Sequence, residues 1–541
     1  MKKPQFSLFL MIICSSVMLS CENDLPMNDL QSPEVLAVND WPELLDELLT
    51  GGEILFVTDE ASLEQAMITA KENDLILVEG GTYSTESIQL NKGVLMLGLN
   101  SEDGTAVTFE NGTTDMPSYQ GRNGLKVIKD TRLESDASVA KRNKGFNVVD
   151  MIRTPLSNQL VHYTFELKVG DGEFDVIRVH RVVKERKPYK AARTHGELFM
   201  IHGASQNFTD IFFWDNSEDY SPTPSPVYLA ENGIDVWGID LGWTLVPLET
   251  SDLGFMAEWG VERDARDTQI AMAFARLVRT MSGSSFRPLN LLGFSYGSTV
   301  AYAAANEETQ LIRPKRDIKG LIPVDQMLKT DNEEARLGAC AAAQALIASG
   351  EIVNTQGIGF STFGNLAYSD PDGLSPIPPF NSLGLTNRGV TIFLGANTYL
   401  TGGPAGFWHF CAGNGASPAD IATDFQHTSV DLWITLLRSL PPYQPVKTGI
   451  DVNQCLCDQD EVSFDDYLSE ISVPIFYLGA GGATGETGIY STMLTQSSDV
   501  SSHIVSLSDD MYNDFGHGDL FIAENAPMLA WEPLRIWLLD H

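Results

Sequence analysis

Apolar residues along this chain gather in two patterns. Short blocks such as Leu198-Phe199-Met200-Ile201, Ile234-Asp235-Val236-Trp237-Gly238 and Leu289-Asn290-Leu291-Leu292 read as strands covered on both faces. Ile270, Phe274, Leu277 and Val278 fall instead at i, i+4, i+7 and i+8, the stripe of one buried helix face. Capping chemistry frames the helices. Ser225 serves as N-cap of one, with Pro226 in its first turn and Gly233 past its end, and Asp267 serves as N-cap of the next. Residues 160–169 and 174–183 alternate around Asp171-Gly172, the signature of a hairpin. Strands alternating with helices from about residue 147 to 541 specify an α/β body, a mostly parallel sheet with helices on both faces.

Upstream the pattern changes. Residues 54–57, 75–78, 87–90 and 94–97 predict short strands, Gly80-Gly81-Thr82-Tyr83 a turn, and residues 62–71 a short amphipathic helix. The order helix, strand, G-G-T-Y, strand, V-L-M-L-G resembles the first coils of a right-handed parallel β-helix of the pectin-lyase type. Such coils bury their faces only against neighbours, so this piece is either a short β-helix or a small α/β unit packed on the rest. Residues 112–146 hold few apolar clusters and read as a boundary, which sets a small N-terminal β-rich domain at 41–146.

The first twenty residues belong to neither body. Lys2 and Lys3 precede an apolar run from Phe6 to Leu19, shorter than the ~20 residues that span a bilayer. Met18-Leu19-Ser20-Cys21 resembles the processing box of a bacterial lipoprotein. That resemblance implies a signal peptide at 1–20, lipidation of Cys21, a tether over 21–40, and a periplasmic or cell-surface protein that meets the membrane through its lipid alone. Of 541 residues 43% are apolar, enough for real cores, and 35 Lys and Arg against 72 Asp and Glu give a formal charge of −37. So acidic a surface repels phosphate backbones, and no nucleic-acid partner is expected. Besides Cys14 and Cys21 there are Cys340, Cys411, Cys455 and Cys457. A bridge from Cys455 to Cys457 would be strained, so Cys340 and Cys411 are expected to bridge to that pair in an oxidising compartment. The spacing is not that of a zinc site, and no metal is expected.

The chemistry centres on Gly293-Phe294-Ser295-Tyr296-Gly297, which follows a strand and precedes an Ala-rich helix near 300–306. In G-x-S-x-G at such a turn, glycines on either side of the serine permit a sharp bend that lifts its hydroxyl above the sheet. Gly359-Phe360-Ser361-Thr362-Phe363 has neither the final glycine nor a strand before it. A serine hydroxyl also needs a neighbouring base. His517 lies in Gly516-His517-Gly518-Asp519, after a strand at 502–507 and before a helix through Trp531 and Trp537. That is the last loop of the sheet, a setting that His409, His427 and His503 lack.

On these residues the region 147–541 resembles the α/β-hydrolase superfamily, and within it the acid-lipase-like esterases. Ile201-His202-Gly203-Ala204-Ser205 is similar to their oxyanion loop, Gly233-Ile234-Asp235-Val236-Trp237 to their G-x-D-V-W strand, and His517-Gly518-Asp519-Leu520 to their histidine loop. The resemblance implies an α/β-hydrolase fold with Ser295 as nucleophile and His517 as base. The backbone N–H groups of Ala204 and Tyr296 would face the oxyanion, and His202 would shape the loop. Relatives usually carry an Asp after the strand that is here 474–478, but this chain continues Gly479-Ala480-Gly481-Gly482-Ala483-Thr484-Gly485-Glu486. The acid is therefore open between Asp325, at the end of a strand at 320–324, and Glu486. The glycine run has neither the Lys of a P-loop nor G-x-G-x-x-G spacing. In this fold residues 326–470, an insertion after strand six, would form a cap over the nucleophile, with aromatics available for an acyl pocket. The expected function is an exported serine esterase or lipase that cleaves a small-molecule or lipid ester without a cofactor. Two other readings stay open. One is amide or thioester hydrolysis on the same triad, and the other is a surface lipoprotein whose N-terminal part contacts glycan while the hydrolase body is inert.

Overall fold

The computed structural model describes residues 34–35, 54–57, 59–70, 75–78, 81–84, 95–98, 107–110 and 126–129. From 147 to 541 it describes all but 158, 215–221, 312, 399–407, 416–419 and 459–461. The apolar leader, Cys21 and the run at 87–90 lie outside the described residues.

The N-terminal strands are β1 (Glu34–Val35), β2 (Ile54–Val57), β3 (Leu75–Val78), β4 (Gly81–Ser84), β5 (Leu95–Gly98), β6 (Val107–Glu110) and β7 (Lys126–Lys129). β2, β3 and β5 pair in parallel, Ile54 opposite Leu75 and Leu75 opposite Leu95. β7 and then β1 add antiparallel at the β5 edge, and β4 pairs with β6 in a separate parallel ladder. Val57, Leu63, Ala66, Ile76, Val78, Tyr83 and Met96 form the core of this part. The helix Glu60–Thr69 starts two residues before the expected 62 because the Asp59 carboxylate accepts from Ser62 N at 2.7 Å and caps it. Gly81–Ser84 is strand rather than turn, since Tyr83 faces the core. β1 falls within the expected tether and β7 within the expected boundary.

Among the described residues twelve strands follow: β8 (Asn147–Pro155), β9 (Leu160–Lys168), β10 (Val176–Lys187), β11 (Lys190–Ala191), β12 (Gly196–Ile201), β13 (Ile234–Asp240), β14 (Leu289–Phe294), β15 (Ile318–Val324), β16 (Val353–Asn354), β17 (Gln444–Pro445), β18 (Ile475–Ala480) and β19 (Val500–Val505). One sheet runs β19-β18-β15-β14-β12-β13-β10-β9-β8, with β11 paired to β10. β13 through β19 in that order are parallel, and β10, β9 and β8 are antiparallel. Helices Val261–Met281 and Tyr296–Glu308 cover one face, and Ser225–Glu231 with Glu532–Asp540 the other. A central strand leading into Ser295, parallel neighbours on both sides and an antiparallel hairpin at one edge make this the α/β-hydrolase fold. β8 has no clean alternation to announce it, for Val148 and Met151 pack on the core while Val149 and Ile152 are exposed.

Two N-cap assignments differ from the sequence reading. Gly260 precedes the helix Val261–Met281, so Asp267 is an interior residue, buried like Val261 and Asp264 upstream of it. Ser225 is the first helical residue after Pro224. Asp235 of the G-x-D-V-W strand has a structural role. It accepts from Arg181 Nε at 2.9 Å and Nη2 at 2.8 Å, and from Arg279 Nε at 3.2 Å, all three side chains buried. Burial pushes its carboxyl up, but the two guanidiniums outweigh that and hold it below the usual range.

The cap lies between β15 and β18. It comprises helices Glu333–Ser349, Gln356–Ser369, Asn387–Ala396, Val430–Ser439 and Val446–Cys457, and the small pair β16–β17. A disulfide joins Cys340 to Cys457, Cα to Cα 4.9 Å. Cys411 and Cys455 are buried free thiols, not bridge partners. Cys455 precedes Cys457 by two residues on one helix and so points about 200° away around the axis, toward Leu328 O at 3.7 Å and Asp465 at 3.2 Å. Cys411 packs in the core on the other side of the sheet. Burial pushes both thiols well above their usual range.

Candidate active site

Ser295 stands between β14 and the helix Tyr296–Glu308 with φ 54° and ψ −122°. That backbone is costly for a residue with a Cβ, and close packing holds it. A Cβ on Gly293 would strike Gly297 O, and one on Gly297 would strike the carbonyls of Ile201 and His202. Ser298 Oγ donates to Gly293 O at 2.5 Å and accepts from Val324 N at 3.0 Å, while Ser295 N donates to Val324 O at 3.0 Å. The turn is thereby fixed to the end of β15, and the helix that follows aims its free N–H groups and positive dipole end at the serine.

The residue after Val324 is Asp325, fully buried and at φ 49°. Its Oδ2 lies 2.6 Å from His517 Nδ1. Its Oδ1 accepts from Ala480 N at 2.9 Å and Gly485 N at 3.0 Å, and Oδ2 also accepts from Thr484 N at 3.4 Å. The glycine-rich stretch after β18, where a relative's acid would stand, instead wraps its backbone donors around the carboxylate of Asp325. Glu486 is exposed on the short turn of helix Gly485–Gly488 and does not meet the imidazole, which corrects its candidacy. Nothing in the residue types marks Ala480, Thr484 and Gly485 as donors, because any residue but proline supplies an N–H.

His517 is 3% exposed and sits among aromatic rings. Phe294, the neighbour of Ser295, stacks on the imidazole at 4.4 Å, with Trp408 at 4.8 Å and Phe410 at 5.8 Å. The loop is held by Asp519, whose Oδ2 accepts from Gly516 N and Ala412 N, both at 2.8 Å, and whose Oδ1 accepts from Thr428 Oγ1 at 2.6 Å. This accounts for the Asp of the His517-Gly518-Asp519 motif. Phe363, Phe380 and Phe393 pack on one another within the cap. Of the cap aromatics, Trp408 and Phe410 flank the histidine, and Phe407 lies outside the described residues.

Gly203 approaches the nucleophile so closely that a Cβ on it would lie 3.3 Å from Ser295 Cβ. His202 is fully buried: Nε2 accepts from Leu241 N at 3.2 Å, so Nδ1 carries the proton and donates to Gly203 O at 2.9 Å. Burial pushes its pKa down to about 4, so the ring is neutral and serves as a brace. Ser205, at φ 56°, donates through N (2.9 Å) and Oγ (3.1 Å) to Oε1 of Gln444 in the cap. Ala204 therefore sits between a braced Gly203 and a cap-anchored Ser205, and Tyr296 is the first residue of the nucleophile helix. A cavity of about 530 Å³ is walled by Phe174, Val176, Val246, Leu248, Ile358 and Leu440 among others. Ser295 and His517 are not among its walls. Among the described residues no group of three or more His, Cys, Asp or Glu is placed to hold a metal.

No protein-family model matches this sequence, and no curated protein matches it either. Among solved structures the chain is similar to a candidate lipase of Sulfolobus solfataricus, at 19% identity and TM-score 0.49, covering 72% of this chain and 99% of that one. It is similar also to a monoglyceride lipase of Saccharomyces cerevisiae, at 12% identity and TM-score 0.37, covering 74% and 98%. A third is a thermophilic esterase of Thermogutta terrifontis, at 13% identity and TM-score 0.35, covering 70% and 98%. With every score below 0.5 these likenesses carry no weight beside the strand order and the geometry above.

Proposed function

We propose that this chain is an exported, lipid-anchored serine hydrolase acting on carboxylic esters. The observation that carries the reading is the buried Asp325–His517 pair at 2.6 Å, its imidazole stacked on Phe294, which precedes a serine on a strained strand-to-helix turn. In the reaction Ser295 Oγ attacks the ester carbonyl carbon and its proton passes to His517 Nε2, while Asp325 holds Nδ1–H and stabilises the imidazolium. The tetrahedral oxyanion faces the backbone N–H groups of Ala204 and Tyr296, each worth roughly 2.7–4 kcal/mol. The intermediate collapses, the alkoxide leaves with the proton from His517, and water, deprotonated by the same ring, releases the acid and restores the serine.

Export is supported by the Cys340–Cys457 bridge, since disulfides persist in oxidising compartments, and by the lipoprotein-like box at Cys21. For residues 41–146 the reading is stacked parallel coils, supported by β2, β3 and β5 pairing in one register series and β4 with β6 in another. A fluorophosphonate probe labels the wild-type protein and not Ser295→Ala, and p-nitrophenyl esters of graded chain length are hydrolysed by the first alone. A wild-type protein that takes no label and turns over no ester removes this function.

A further inference from the structure

Behind the nucleophile turn lies a carboxylate that the reaction above does not use. Asp264, on the first turns of the helix Val261–Met281, is 1% exposed and has its Oδ2 shared by two donors. Tyr296 Oη donates to it at 2.6 Å, and Trp243 Nε1 at 3.2 Å. Each donor leads to one half of the proposed oxyanion site. Tyr296 is the residue whose backbone N–H follows Ser295. Trp243 meets the His202 ring edge to face at 5.4 Å, and His202 is the brace on Gly203 next to Ala204.

We infer that Asp264 is a positioning residue for both oxyanion donors, holding Tyr296 directly through its phenol and the Gly203-Ala204 loop through Trp243 and His202. Asp264 touches neither substrate nor the reacting atoms. It acts by fixing where two N–H groups point, which matters because such donors stabilise the transition state only when already aimed at the oxygen that becomes charged. The phenol suits this purpose. A Phe at 296 would keep the backbone N–H and the ring packing while losing the tether, so Tyr296→Phe isolates the effect. The inference rests on the serine hydrolase reading, and the test separates the two.

Wild type, Tyr296→Phe, Asp264→Ala, Asp264→Asn and Tyr296→Phe/Asp264→Ala are compared at pH 8, with rates normalised to fluorophosphonate-labelled sites. Tyr296→Phe and Asp264→Ala are expected to lower kcat roughly 10-fold, less than the 10²–10³ of losing a donor outright, with KM unchanged. Affinity for an alkylboronic acid, which forms a tetrahedral adduct on the serine, falls in the same proportion. Asp264→Asn, whose amide oxygen still accepts from the phenol, retains kcat within about 2-fold, and the double variant is no slower than Asp264→Ala, which already cuts the tether to Tyr296 along with the one to Trp243. Full kcat and boronate affinity in Tyr296→Phe, or singles whose losses multiply in the double, would overturn the assignment and leave the function intact. An unlabelled, inactive wild type would instead strike the function first.

Discussion

Asp325 shows how one residue can be chosen among chemically similar neighbours. A positive φ and complete burial both cost stability, on the order of 1–3 kcal/mol for the backbone alone, yet the side chain meets three backbone N–H donors and an imidazole. Glu486, close in sequence to the same loop, faces solvent. Asp325→Asn is accordingly expected to lower kcat by roughly 10⁴-fold, since an amide cannot hold the ring in the right tautomer, while Glu486→Gln stays within about 2-fold of wild type. Steady-state kinetics on both variants decides it, and equal losses would return the acid to an open question. A second prediction concerns Asp264. Burial raises its carboxyl to about 7, helped by Asp267 and opposed by the bonds from Tyr296 and Trp243 and by Arg263. Asp451 is the other charge near Tyr296. The folded pKa is above the group's ordinary value of 3.8, so the folded state binds more protons between those two values. Its contribution to stability is complete below about pH 4, is lost as pH rises to about 7, and is flat beyond. Asp264→Asn removes that loss. Its stability relative to wild type, read from urea midpoints, should grow across pH 4–7 by roughly 4 kcal/mol, about 1.36 per unit over some three units. A difference that is constant with pH would sink this.

At the scale of elements, the sequence revealed what depends on nearest neighbours. The central strands show as apolar blocks because both faces are covered, and the serine turn shows because only glycine tolerates the approach of Gly293 to Gly297 and of Gly297 to the carbonyls after β12. The histidine loop was readable from its place after the last strand. What escaped depends on pairing between distant segments. The donors around Asp325 come from a loop some 155 residues downstream and are main-chain groups. Gln444 reaches Ser205 across 239 residues. The start of the helix Val261–Met281 is hidden in the sequence for a related reason. Asp267 looks like a cap by composition, but the helix is already formed and buried at Val261, Asp264 and Ala265, and Asp267 is held in the interior near Arg263 and Arg266. The cysteine pairing failed because α-helical phase, unseen in a C-x-C spelling, sends Cys455 and Cys457 to different sides.

In the molecule as a whole, the cap is joined to the site by specific links, and the disulfide ties together the ends of the segment that carries them. Helices Glu333–Ser349 and Val446–Cys457 are the two ends of the cap, and Cys340–Cys457 ties them across 117 residues. Gln444, which anchors the Ser205 turn of the oxyanion loop, lies just before the second of these helices, and Trp408 and Phe410 reach His517 from within the closed segment. Closing a loop of this length removes entropy from the unfolded chain worth roughly 4–5 kcal/mol. Cys340→Ser/Cys457→Ser, or the wild-type protein after reduction, is thus expected to unfold at lower urea by about that free energy. Limited proteolysis should cut within 326–470 before it cuts the sheet. Because the loosened end carries Gln444, kcat should fall along with stability, with KM changing less. Neither remaining thiol can substitute, since Cys411 and Cys455 lie in separate cores. An unchanged urea midpoint in protein whose bridge is shown by thiol titration to be open would mean that the cap is held by its packing alone.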